Sequence, residues 1–194
     1  MHGDKFFITV GVAGLFTEHV PVIFPEEHAF ALSVAGADCL HVHKAGTEDL
    51  EEVVRIAHQY GLLVEAYITH TMSQDNIVRV SSNSTSVEYL GIPTETPSDA
   101  VRIAKWMQDI GVDLIGVVTG MVYQVGAGGI ADLVLDRVDA VVNAVDVPVV
   151  LEGGLNLDNW KVAKEHNVDV IMISTSIEYM LYEHLGEIIH SLDI

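Results

Sequence analysis

Cysteine, basic residues and long apolar runs are scarce in this 194-residue chain, and each scarcity removes a class of function. The single cysteine, Cys39, cannot close an internal disulfide, which fits a reducing, cytoplasmic setting. It stands in an apolar run and reads as a small buried hydrophobe. Nine Lys and Arg against 28 Asp and Glu leave a formal charge of −19. Nucleic acid and anionic membrane both demand a basic footprint, so neither is expected as a partner. The acid is dispersed and reads as a solvated surface. No apolar run reaches the roughly 20 residues that span a bilayer. The first five residues carry no signal-peptide pattern, and 6–15 reads better as a strand. The glycine-rich loop 126–129 lacks the spacing of a dinucleotide or P-loop fingerprint.

What is present is a regular alternation. Hydrophobic residues make up 49% and charged residues 19%, the balance of a globular chain with one substantial core. β-Branched runs fall at 6–12, 38–43, 62–68, 113–118, 148–151 and 169–173. Helical stretches fall near 25–35, 47–60, 97–110, 131–144, 157–165 and 177–191. Proline and acids open the first of these, and Thr96-Pro97-Ser98-Asp99 offers a cap followed by proline. Gly36, Gly61 and Gly111 close three helices just before a strand. Repeated βα units with buried strands imply a parallel sheet with helices outside it.

The expected fold is therefore a single α/β domain over 1–194, a parallel (β/α) barrel of TIM type. Only six strands are visible where a barrel has eight, so two are missing from the pattern. An open doubly wound parallel sheet is the alternative, and it requires helices on both faces and a reversal of strand order. One segment breaks the rhythm. At about 69–96 the chain turns rich in Ser, Thr and Asn, and two short runs flank Ser81-Ser82-Asn83-Ser84-Thr85, which reads as a hairpin-like insertion.

Chemistry in such folds sits at the C-terminal ends of strands. Gly153 and Gly154 follow one strand, and Ser174, Thr175 and Ser176 follow the next; bare backbone N–H groups there suit a phosphate. His41 and His43, two apart on a strand, share a face and could present two imidazoles to a divalent metal ion. Lys44 follows them and could form a Schiff base if desolvated. Glu65 is a charge inside an apolar strand and requires a partner or a shifted pKa. Glu152 ends its strand directly before the glycines, placed for acid or base work.

From Gly36 to Ile177 the order of motifs resembles the ribulose-phosphate-binding barrels. The resemblance is to the orotidine monophosphate decarboxylase superfamily, in its hexulose-phosphate synthase and 3-keto-gulonate-phosphate decarboxylase branch. Gly36-Ala37-Asp38-Cys39-Leu40-His41-Val42 resembles that family's fourth strand and Leu63-Val64-Glu65-Ala66 its fifth, with Glu65 where those enzymes carry an acid. Glu152-Gly153-Gly154-Leu155 and Ser174-Thr175-Ser176-Ile177 resemble its phosphate grip. On that alignment the run 6–12 is strand three, and strands one and two are absent. The D-x-K-x-x-D signature is absent too, since Thr9, Gly11 and Gly14 occupy its charged positions. Val118 replaces the histidine of strand six. The magnesium-assisted enediolate chemistry therefore does not carry over, whereas the phosphate site does. Weaker likenesses run to class II aldolases, over 111–120 and 147–154, and to the BtpA-like barrels.

These observations lead to the expectation of an enzyme on a small phosphorylated metabolite, a lyase, aldolase or isomerase of a sugar phosphate. Glu65, His41, His43, Lys44 and Glu152 form the catalytic pool. Two alternatives remain: a non-catalytic phosphate-ligand-binding barrel or assembly protein, and a metal-dependent aldolase or hydrolase using His41 and His43. The sequence marks no cofactor with certainty, and a divalent metal ion is the one candidate. A sheet lacking strands exposes an edge, so a homo-oligomer is expected.

Overall fold

The computed structural model describes residues 9–12, 25–42, 47–70, 91–118, 135–153, 155, 159–173, 180–182 and 184–185. Within them the order is β1 (Thr9–Val12), α1 (Pro25–Ala35), β2 (Cys39–Val42), α2 (Thr47–Gln59), β3 (Leu63–His70), β4 (Ile92–Thr94), α3 (Pro97–Asp109), β5 (Leu114–Val118), α4 (Leu135–Val142), β6 (Val149–Glu152), α5 (Val162–Glu165) and β7 (Val170–Ile171). All pairings are parallel, in the order β1-β2-β3-β5-β6-β7 with β4 beside β3. Each new strand along this path joins the same side of the sheet. A doubly wound sheet would reverse direction, so the alternative architecture falls away.

Period-two alternation sorts the strand residues into two sets. The registers His41↔Glu65, Tyr67↔Gly116 and Val118↔Glu152 place Cys39, His41, Glu65, Tyr67, Thr69, Val118, Val150 and Glu152 on one face. On the opposite face Leu40, Val42, Val64, Ala66, Ile68, Ile115, Val117, Val149 and Leu151 join Leu50, Val53, Ile103, Met107, Val138 and Val141 of α2, α3 and α4 in one apolar core. The core cluster contains none of Cys39, Tyr67, Val118 or Val150, although all four are buried. Helices thus cover one face of the sheet, and the other, polar face turns inward. This is the layering of a partial (β/α) barrel.

Local chemistry explains the element boundaries. Thr96 caps α3, its side chain accepting from the Asp99 backbone N–H at 3.1 Å, and Pro97 fills the first turn, where its missing N–H is harmless. Ala100, Ile103, Ala104 and Met107 follow at helical spacing and form the buried stripe. At the other end Gly111 (φ +94°) turns the chain back toward β5. Asn167 (φ +53°) takes the same left-handed place before β7, a conformation asparagine tolerates better than most residues. Two residues beyond each, an aspartate latches the neighbouring strand: Asp113 Oδ2 accepts from the Val64 N–H at 2.8 Å, and Asp169 Oδ2 from the Val149 N–H at 2.9 Å.

One strand departs from the sequence reading, which places 92–94 inside the insertion. Ile92–Thr94 instead pairs with Ile68–His70, a seventh parallel strand. Because β5 already occupies the other side of Ile68 and Thr69, β4 sits on the flank that β2 leaves open beyond Ala66. Proline at its centre conceals it, since Pro93 cannot donate to a ladder and is tolerated only in edge positions such as this. The two short runs of the expected hairpin lie outside the described residues.

Candidate functional site

The inward face gathers polar side chains from three strands. His41 comes from β2, Glu65, Tyr67 and Thr69 from β3, and Glu152 from the end of β6; the first four are all at least nine-tenths buried. The Tyr67 hydroxyl lies 2.8 Å from His41 Nδ1, and the same nitrogen is 3.4 Å from Glu65 Oε2. The two rings stack with centroids 4.3 Å apart at 32°. The carboxyl groups of Glu65 and Glu152 also face the hydroxyl and act on its proton affinity. Glu65 Oε1 and Thr69 Oγ1 are buried with no hydrogen-bond partner among the described residues.

Burial sets the proton affinities. Removal from water pushes the Glu152 carboxyl up to about 7. The His41 ring opposes that rise, the negative Glu65 adds to it, and the hydrogen bond from Tyr67 opposes it. Tyr67 is driven well above the ordinary phenol range, first by burial and then by the charges of Glu152 and Glu65. The phenol therefore stays protonated at any physiological pH. Glu152, by contrast, is poised to gain or lose a proton near neutrality.

Two glycines make room for Tyr67. A Cβ at Gly116 would collide with Cδ1 and Cε1 of the Tyr67 ring, and a Cβ at Gly91 (φ +81°) would run into the Tyr67 backbone carbonyl. Sequence reasoning passed over Tyr67. The available signal was Gly116, a glycine in the middle of an apolar strand, which marks the close approach of another group.

Of the residues expected at the site, His41, Glu65 and Glu152 come together around Tyr67. Gly153 follows Glu152 with φ +82°, so the chain leaves β6 through a turn that favours glycine. His43, Lys44, Gly154, Ser174, Thr175 and Ser176 lie outside the described residues. Cys39 is fully buried, as expected of a small hydrophobe. Among the described residues no three His, Cys, Asp or Glu side chains converge into a metal cradle. By themselves they do not fit a bound metal.

A one-directional parallel sheet, helices on one face and acid/base groups on the other define a (β/α)-barrel protein. Solved structures of similar shape include two mutants of the tryptophan synthase α-subunit from the hyperthermophile Pyrococcus furiosus. One gives a TM-score of 0.59 at 10% identity and covers 82% of this chain and 53% of the other. The second gives 0.58 at 10% identity and covers 81% and 52%. This chain thus spans about half the length of these neighbours. The family model of class-II fructose-bisphosphate aldolases matches residues 44–190, well over half of the chain. The chain belongs to that family. No curated protein matches it. The match falls on the family to which the motifs of this chain bear the weaker resemblance.

Proposed function

We propose that this protein is a lyase of the aldol type acting on a small sugar phosphate. One observation carries the reading: a buried His41–Tyr67–Glu65–Glu152 cluster lies on the inward face, and Glu152 directly precedes Gly153. Membership in the aldolase family supports it. An aldol cleavage needs a base to take the proton from a hydroxyl two carbons from a carbonyl. The O–H pair then forms a new C=O, the C–C bond breaks, and its electrons pass to the enolate oxygen. A buried carboxylic acid that is still protonated near neutrality can donate to that oxygen, and we assign this role to Glu152. His41 is the matching base, and Lys44 and His43 complete the pool. Glu65 Oε1 and Thr69 Oγ1 suit the hydroxyls of the carbon skeleton, since buried polar atoms call for partners. Backbone amides of Gly153, Gly154 and the Ser174-Thr175-Ser176 turn are assigned to the phosphate.

The test is turnover of a panel of ketose and aldose phosphates, with inorganic phosphate as a binding control. Wild-type protein should cleave at least one member, and Glu152→Gln should lower kcat by about 100-fold or more. Phosphosugar binding without turnover would overturn the catalytic reading in favour of a ligand-binding barrel, the reading that the missing D-x-K-x-x-D signature favours.

A further inference from the structure

We propose that Tyr67 is a positioning residue: it holds the His41 imidazole in one orientation and in the Nδ1–H tautomer, so that Nε2 is the basic nitrogen of the ring. Gly116 is the position that allows it to do so. The use of Nε2 in turnover rests on the function proposed above, whereas the tautomer rests on the contacts around Nδ1 and on an ionised carboxyl beside them.

Proton counting gives the argument. The Tyr67 hydroxyl carries one hydrogen, and among the described residues His41 Nδ1 at 2.8 Å and the carboxyls of Glu65 and Glu152 face it as acceptors. An ionised carboxylate is a stronger acceptor than a neutral ring nitrogen. While one of the two carboxyls is ionised, the phenol proton points to it and the phenol oxygen is left as an acceptor toward His41. The His41 contact is then satisfied only if Nδ1 donates. Glu65 Oε2, 3.4 Å from the same Nδ1, asks for the same proton. Among the described residues the titratable groups facing this point are His41 from β2, Glu65 from β3 and Glu152 from β6. Both carboxyl groups favour a proton on Nδ1.

Stacking fixes the rest. The imidazole lies 4.3 Å from the phenol ring, so its plane is set as well as its hydrogen bond. The phenol ring in turn occupies the space above Gly116, where any side chain would strike Cδ1 and Cε1. A chain of three contacts thus runs from a glycine on β5, through Tyr67 on β3, to a histidine on β2.

The experiment reads the ring nitrogens of His41 in the full-length 15N-labelled protein at about pH 8, with His41→Gln identifying the signals. The wild type should show a protonated Nδ1 and an unprotonated Nε2. Tyr67→Phe removes only the hydroxyl, and Gly116→Ala keeps the hydroxyl but displaces the ring. Both should give averaged shifts from exchanging tautomers. A wild-type Nε2–H tautomer, or a wild-type average, overturns the proposal without any variant. Wild-type shifts retained in Tyr67→Phe overturn it as well, and shifts retained in Gly116→Ala remove the role given to Gly116. On a substrate that the wild type cleaves, Tyr67→Phe should lower kcat by about tenfold while KM stays within about twofold. If no sugar phosphate is cleaved, the proposed reaction fails while the nitrogen spectra still decide the role of Tyr67.

Discussion

Glu152 gains a proton in the folded protein that it would have lost in the unfolded one, because burial raises its pKa from 4.5 to about 7. An acid whose folded pKa is raised lowers stability as pH climbs from the unfolded value to the folded one. For Glu152 the window is pH 4.5 to about 7, and the loss across it is at most about 3 kcal/mol. Glu152→Gln abolishes that titration while keeping the shape. In urea unfolding, the variant should gain on the wild type by up to this amount between about pH 5 and pH 8. A constant difference across that range would mean that Glu152 is solvated. Glu65 acts on the same group through space, since its charge is one of the causes raising Glu152. Glu65→Gln should therefore move the Glu152 midpoint downward, as read by carboxyl NMR.

At the scale of elements, short polar latches decide where strands begin. Asp113 Oδ2 accepts from the Val64 N–H and from His58 Nε2 at 2.9 Å, tying the start of β5 to β3 and to α2. Asp113→Ala leaves a half-buried backbone N–H without its partner and should cost about 1–3 kcal/mol in urea unfolding. Asp113→Asn keeps an acceptor oxygen and should lose less than half of that; equal losses would show that charge matters rather than the hydrogen bond. Thr96→Ala removes the α3 cap and should cost about 1 kcal/mol. Such signals explain which elements the sequence discloses. Capped helices and β-branched runs are legible because local chemistry dictates them. β4 is hidden because Pro93 contradicts the strand pattern, and only the open flank of β3 gives it a place. Glu65 is legible as a charge among apolar neighbours, and Glu152 as the residue before a turn. Tyr67 reads as an ordinary strand aromatic until the register sets it opposite Gly116. The meeting of His41, Glu65 and Glu152 depends on strand order, which no local pattern encodes.

At the scale of the molecule, two sheet edges and a large charge act against each other. Among the described residues β1 pairs only with β2 and β7 only with β6, so both ends of the sheet offer unpaired backbone groups. The β7 strand is also apolar, with Val170 and Ile171 exposed, and elsewhere in the described residues Met180, Leu181, Tyr182 and Leu185 are exposed as well. A surface of that character is buried in most proteins by a further element or another chain. The charge of −19 opposes association at long range, and salt screens it beyond about 8–10 Å while leaving apolar contact intact. The chain should therefore form a homo-oligomer whose dissociation constant falls as ionic strength rises from about 0.02 to 0.2 M. Light scattering should give a multiple of 21.1 kDa, and Leu181→Lys with Leu185→Lys should shift it toward the single-chain mass. A mass of one chain at every concentration and salt level would show that the edge is covered from within.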